Sequence, residues 1–246
     1  VENISVKERY KQLQYFFQAA QETPDELIHD IITRDFNLIS LYAKACAIFS
    51  LLNIKSHGSG QELVASVFHP DRLIRETAAY VLEQTDPAKL ESAFSRIEPS
   101  LVNEIKASIC QTDNGIPFLL LHRIRFIKSC PKMSKISEDV LLEISKILDI
   151  NFLTQDEEFL IKRDDVHYAF MIIIDGTAQI KISSGKVLTF GKNDIIYSDI
   201  FVEDNTFSLR ALTDLRLFSL EQEALNSLMF DYIDFRNAIL EIVVEA

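Results

Sequence analysis

Histidine, cysteine and closely spaced carboxylates are the residues of this 246-residue chain that could bind a metal or move a proton, and their spacing assembles no such site. His29, His57, His69, His122 and His167 stand too far apart for a His-x-His or His-x-x-x-His ligand pair, and no cysteine lies within metal-ligand spacing of one. Cys46, Cys110 and Cys130 form no Cys-x-x-Cys pair, and their odd number reads as reduced structural thiols of a cytosolic setting. No Gly-x-Ser-x-Gly elbow occurs, and Asp156-Glu157-Glu158 and Asp164-Asp165 fall in turn regions, where carboxylates are solvated. His57-Gly58-Ser59-Gly60 could form an amide nest for phosphate, but it follows no strand and lacks a lysine at Walker spacing, so it reads as a loop. Neither an enzyme nor a bound metal or cofactor is expected.

Charge narrows the partners. Lys plus Arg number 25 against 37 Asp plus Glu, a formal net charge of −12, and such a field repels the phosphate backbone that supplies most non-specific nucleic-acid affinity. One strip departs from this background: Arg123, Arg125, Lys128, Lys132 and Lys135 occur in a stretch that contains no acid. It reads as a solvated helix or an intramolecular dock onto the acidic first half; the functional alternative is contact with anionic lipid headgroups or an acidic partner, at about 1 kcal/mol per base. Apolar runs such as Ala169 to Ile174 are far shorter than the ~20 residues that span a bilayer, and no signal-peptide pattern opens the chain. A cytoplasmic protein is therefore expected. The first residue is Val1 rather than methionine, which points to a piece of a longer chain.

The elements that must position any site fall into two halves. Up to about residue 112, apolar residues recur at three and four positions, as in Tyr10, Leu13, Phe17 and Ala20, or Leu38, Leu41, Ala45, Ile48 and Leu52. Thr23-Pro24-Asp25-Glu26 offers a cap, a first-turn proline and a glutamate that closes a capping box; Asp86-Pro87 repeats the logic, and Glu98-Pro99 is a weaker instance. The turn-rich Thr112 to Pro117 marks a boundary, giving domains 1–114 and 115–246. Helical patterns follow near 117–128 and 138–149. From Phe152 the period shifts to two, as in Ala178, Ile180 and Ile182 or Phe207, Leu209 and Ala211, with Asp175-Gly176, which reads as a tight hairpin, Ser183-Ser184-Gly185 and Gly191 to Asp194 as turns. About eight short strands read as a barrel or jelly roll. From Glu221 a single helical face returns through Leu225, Leu228, Tyr232, Phe235, Ile239 and Ile242. The fold class is α+β: a helical array, then a β-barrel flanked by helices.

An internal repeat refines the first half. Lys44, Ala47, Ile48 and Leu51 match Arg75, Ala78, Ala79 and Leu82, a base, small residues and a leucine that let helices pack closely while the base stays near solvent. The second copy, His69-Pro70-Asp71-Arg72-Leu73-Ile74-Arg75-Glu76-Thr77-Ala78-Ala79, closely resembles a HEAT-type repeat, which implies a small α-solenoid that presents surfaces to partners.

Arg125 to Pro131 ahead of a helix, Phe159 to Asp165, Ala169 to Ile180 with its Asp175-Gly176 turn, Gly191-Lys192-Asn193-Asp194, and Ser208 to Asp214 follow one another in that order, and on these pieces residues 116–246 resemble the cyclic nucleotide-binding domain family. In that family backbone amides, an arginine and a ribose-binding glutamate converge on the ligand. Aligned here, the Gly-Glu pair falls on Tyr197-Ser198 and the phosphate arginine on Asn205. The segment from Asp194 to Asn205 also carries Asp194, Asp199, Glu203 and Asp204 and no base. Losing one partner of a buried ion pair costs roughly 3–5 kcal/mol, and tenfold in affinity is about 1.4 kcal/mol. Cyclic AMP and cyclic GMP are thus not expected to bind in the family's manner. Arg210, flanked by Leu209 and Ala211, faces outward and is not expected to substitute.

This pairing of modules resembles the cytosolic part of a bacterial nucleotide-translocase or major-facilitator-like transporter. It implies a regulatory or interaction role near a membrane through the parent protein, with a protein partner or another domain of the same chain, and no nucleic acid. The alternative is a small-molecule sensor with an altered pocket at Tyr197, Ser198 and Asn205.

Overall fold

The computed structural model describes residues 23–34, 38–53, 60–110, 119–162, 168–182, 185–198 and 206–245. The face built on Tyr10, Leu13, Phe17 and Ala20, the boundary stretch Thr112 to Pro117, and His57-Gly58-Ser59 lie outside them. Two compact units divide the chain, Val1–Ile105 and Lys106–Ala246.

The first unit is helical: α1 (Pro24–Thr33), α2 (Leu41–Ser50), α3 (Gly60–Val67), α4 (Arg72–Thr85), α5 (Pro87–Phe94) and the start of α6 (Pro99–Cys110). Local chemistry sets their starts. Thr23 Oγ1 accepts from Glu26 N–H while Glu26 Oε2 accepts from Thr23 N–H, closing the capping box and holding the Glu26 carboxyl below its ordinary range. Asp71 and Asp86 cap α4 and α5. Helix α4 packs against α2 and α3, and its buried Leu73, Ile74, Ala78, Ala79 and Leu82 are the centre of the core. Phe49 of α2 stacks on Tyr80 of α4 at 6.0 Å.

The repeat acquires a structural meaning here. Lys44 Nζ donates to Arg34 O at 3.3 Å, and Arg75 Nη1 donates to His69 O and Pro70 O at 3.0 and 2.9 Å. Each base thus reaches back to the connection before its own helix. The Arg75 side chain is 11% exposed, more buried than its place in the repeat implied, because it turns to these carbonyls. Leu38, placed on the α2 face by its spacing, precedes the Ser40 cap and is 74% exposed.

The second unit opens with α7 (Leu120–Ser129), a 3₁₀ turn (Pro131–Met133) and α8 (Glu138–Ile147). Among the described residues eight strands follow: β1 (Asp149–Leu153), β2 (Glu158–Lys162), β3 (Phe170–Asp175), β4 (Ala178–Ile182), β5 (Val187–Phe190), β6 (Ile195–Tyr197), β7 (Thr206–Ala211) and β8 (Leu215–Leu220). They form two antiparallel four-stranded sheets, β1-β8-β3-β6 and β2-β7-β4-β5. Among the described residues no ladder joins the two, so of the barrel or jelly roll expected it is the double-sheet jelly-roll strand order that is observed, without closure into a barrel. Strand β1 starts at Asp149, inside the stretch whose periodicity reads as helix, because Asp149 to Leu153 pair with Ser219 to Leu215 of β8.

Alternation then sorts the side chains. Ile161, Met171, Ile173, Ala178, Ile180, Ile196, Phe207, Leu209, Ala211 and Leu217 fill one core between the sheets. Phe170 and Phe218 point to the other face of their sheet, where Phe170 meets Phe235 edge-on at 6.1 Å and Phe218 meets Phe126 of α7 at 5.9 Å. That face is covered by helices, which is why β3 is buried on both sides.

Two sequence readings change. The Asp175-Gly176 turn is not a hairpin: β3 pairs with β6 and β8, while β4 pairs with β5 and β7, so the turn carries the chain from one sheet to the other. The terminal helix is two helices, α9 (Gln222–Asp231) and α10 (Ile233–Glu245). Extended Tyr232 separates them; its N–H donates to Leu228 O and its carbonyl accepts from Arg236 N–H, so it ends one helix and begins the next.

Candidate functional site

The positions aligned with the family's nucleotide-binding pair sit at the end of β6. Tyr197 is 7% exposed and pairs across the ladder with Phe170. Cross-strand partners share a face, so Tyr197 lies with Phe170 on the helix-covered side, while its neighbour Ile196 enters the inter-sheet core. Ser198 N–H donates to Ala169 O at 2.9 Å, extending the β3–β6 pairing by one residue. Asn205, with Asp199, Glu203 and Asp204, lies outside the described residues. Asp194 serves the fold locally, since its Oδ2 accepts from Gly191 N–H at 2.7 Å and closes the Gly191 to Asp194 turn, which Asn193 N–H anchors on Ile173 O. Arg210 is exposed and pairs with Asp156 at 2.6 Å, on the outer face as its alternation indicated.

The basic strip is divided among several roles. Arg123 Nη1 donates to Ser145 O and Leu148 O, the carbonyls at the end of α8, at 3.1 and 3.0 Å, and its guanidinium lies 5.8 Å from the Phe218 ring centre. Lys128 Nζ binds Glu138 at 2.7 Å and Ile136 O at 3.0 Å, at the start of α8, and its hydrogen bond holds the Glu138 carboxyl below the usual carboxylate range. These two bases therefore staple α7 to both ends of α8, and the Arg123 cation at its C-terminal end and the Glu138 carboxylate in its first turn lie where the helix dipole favours them. Arg125 and Lys135 are exposed, and Lys132 is half-buried.

Lys132 belongs to a feature that spacing could not reveal, a groove of about 420 Å³. Pro131 and Lys132 of the 3₁₀ turn, Lys186 just before β5, Leu188, Thr189 and Phe190 along it, Asn193 and Asp194 of the turn that follows, Ile195 at the start of β6, and Ile242 of α10 form its walls. Asn193 takes a left-handed φ of 70°, and its Oδ1 is buried with no hydrogen-bond partner. Burial first and then the Asp194 carboxylate push the Cys130 thiol up to about 12. Among the described residues no three His, Cys, Asp or Glu side chains converge as metal ligands, and no helix is long and apolar enough to cross a membrane.

No family model matches the chain, and no curated protein sequence matches it. Solved structures do. The sensor domain of the transcriptional regulator DNR from Pseudomonas aeruginosa is 17% identical with a TM-score of 0.43, over 51% of this chain and 89% of that one. The regulatory subunit of a cAMP-independent protein kinase A from Trypanosoma brucei is 15% identical with a TM-score of 0.41, over 52% of this chain and 49% of that one. The catabolite activator protein of Thermus thermophilus is 12% identical with a TM-score of 0.39, over 47% of this chain and 57% of that one. The chain thus spans about half the length of these last two. Likeness at this level leaves ligands and residue roles unassigned.

Proposed function

We propose that this chain is a non-catalytic regulatory or protein-interaction module, a HEAT-like helical array followed by a cyclic nucleotide-binding-like domain that does not hold cyclic AMP or cyclic GMP in that family's manner. The observation that carries the reading is the placement of Tyr197. Where the resemblance calls for a glycine beside a ribose-binding glutamate, a tyrosine is buried on the helix-covered face and a serine backbone is paired to β3. A sensor site at Tyr197, Ser198 and Asn205 would need these side chains around an open cavity, and the burial of Tyr197 speaks against it.

The matched roles of Lys44 and Arg75 support the HEAT-like reading of the first domain, placed at 1–114, with 115–246 as the second. Its partner is a protein or another domain of the same parent chain, and the pairing of the two modules supports a cytosolic part of a larger, transporter-like protein. A signal would pass through α9 and α10, the second of which packs on the outer face of β3 through Phe235. Isothermal titration of the full chain with cyclic AMP and with cyclic GMP tests the reading. No micromolar binding is expected, and a micromolar Kd for either overturns it.

A further inference from the structure

Helix α10 has two apolar faces, and its own domain uses one of them. Phe235, Ala238, Ile239 and Ile242 are buried, with Phe235 against Phe170 of β3. On the opposite side Ile233, Leu240 and Val244 are 61%, 49% and 86% exposed, and exposed Asn237 stands between them. Elsewhere among the described residues no helix or strand carries more than one exposed large apolar side chain, and single ones are ordinary on a protein surface. Helix α10 carries four, Val243 being the fourth.

Their spacing is a heptad. With Ile233 at position d, Asn237 falls at a, Leu240 at d and Val244 at a, while the buried residues take positions b, c and f. An a/d seam turned outward is the surface on which a second helix of the same repeat packs. Arg236 then holds g and Glu241 the following e; both are exposed, and neither is in an ion pair with a described residue of its own chain. In a parallel pair of helices the g position of one faces the next e position of the other. Arg236 of each copy would meet Glu241 of the other, twice by the two-fold symmetry, and the two Asn237 amides would satisfy each other at the seam. An antiparallel pair would instead set Asp234 against Glu241 and Asn237 against Leu240.

We propose that α10 is a homodimerisation surface, through which two copies of this chain join as a parallel two-stranded coiled coil along Ile233, Asn237, Leu240 and Val244. A second copy fits this strip because the strip is complementary to itself in charge. An anionic membrane surface fits it poorly, because the exposed charges beside the seam, Asp234, Arg236 and Glu241, are mostly acidic. The dimer does not depend on what the domain binds, so failure here and failure of the cyclic nucleotide titration are distinguishable.

Sedimentation equilibrium of the full chain over about 5 to 500 μM tests the proposal. Two heptads are short against a standard interface of about 800 Å² per partner, so a reversible dimer with a Kd of about 10–100 μM is expected. Leu240→Glu, a change at an exposed side chain, is expected to weaken the dimer about tenfold or more, and Leu160→Glu, equally exposed but on β2, to leave it unchanged. Arg236→Glu and Glu241→Arg are each expected to weaken it, and the chain carrying both changes to recover, a rescue that damage to the fold would not give. Asn237→Cys under mild oxidation is expected to form a disulfide-linked dimer that the wild type, with its own three cysteines, does not form. The mass of a single chain at every concentration overturns the proposal, and cosedimentation of that monomer with phosphatidylcholine–phosphatidylserine vesicles would assign the strip to a membrane surface instead. Equal association of wild type and Leu240→Glu, an equal loss in Leu160→Glu, or no recovery in the double variant also overturns it.

Discussion

Replacing Gly176 by alanine separates two costs that a turn glycine avoids. Gly176 sits at φ +90° where the chain passes from β3 to β4, and Gly185 sits at φ +87° in the β4–β5 hairpin. Their backbones are alike and their surroundings are not. A Cβ on Gly176 would stand 2.2 Å from Asp214 O, 3.0 Å from Leu215 Cα and 3.0 Å from Thr213 Oγ1, whereas a Cβ on Gly185 meets nothing within 4 Å. Positive φ costs an L-residue about 1–2 kcal/mol, and this applies to both. The clash at Gly176 is with backbone, which cannot swing aside. The turn is held in place by Thr177 N–H to Thr213 Oγ1 at 3.0 Å, Leu212 N–H to Thr177 O at 2.8 Å, and Arg216 to Asp175 at 3.2 Å. Overpacking of this kind adds roughly 1–3 kcal/mol. Gly176→Ala is therefore expected to destabilise by about 3 kcal/mol or more and Gly185→Ala by about 1 kcal/mol. Urea-induced unfolding followed by far-UV circular dichroism measures both. Equal losses in the two variants would refute the reasoning, because the clash is the only term that distinguishes them.

Arg123→Met removes two charge-assisted hydrogen bonds to the end of α8 and the Phe218 contact, and a loss of about 3 kcal/mol is expected in the same unfolding measurement, against under about 0.5 kcal/mol for Lys135→Met at an exposed site. Cys130, buried with its thiol raised to about 12, is expected to resist iodoacetamide in the native chain at about pH 8 and to label once the chain is unfolded; rapid native labelling, mapped by mass spectrometry, contradicts the burial. His69 has its basicity lowered below the ordinary 6.5 by burial first and by the Lys44 ammonium second. The unfolded chain therefore takes up that proton before the folded one, so its contribution is complete above about pH 6.5 and declines as pH falls through that value. In His69→Asn the amide oxygen can replace Nδ1 as acceptor from Asp71 N–H, and the variant is expected to lose less stability than wild type between about pH 7.5 and 5.5; parallel curves would refute the assignment.

The candidate sites differ in how far they could be read without coordinates. That the family's glycine, glutamate and arginine are replaced at Tyr197, Ser198 and Asn205 is a matter of residue identity. That Tyr197 turns toward the helices follows from its register against Phe170, and register depends on β3, twenty-seven residues earlier in the chain. The groove is less legible still. Its lysines come from the 3₁₀ turn and from the edge of β5, its floor from the β5–β6 turn and one wall from α10. No periodicity connects Lys132, Lys186 and Ile242. A buried acceptor lacking a donor, such as Asn193 Oδ1, leaves no trace in a sequence.

What the sequence determined by itself is what neighbours along the chain decide. The Thr23–Glu26 box, the Asp86-Pro87 start of α5 and the alternation of β4 and β7 all depend on groups within a few residues of one another, so residue type and spacing suffice. Tertiary structure decided the pairings between distant segments. It carried Asp175-Gly176 from sheet to sheet instead of into a hairpin and drew residues 149–151 into a strand beside β8. Hydrogen-bond satisfaction and burial are set by whatever segment arrives from elsewhere in the chain, and the same local pattern is compatible with several arrivals.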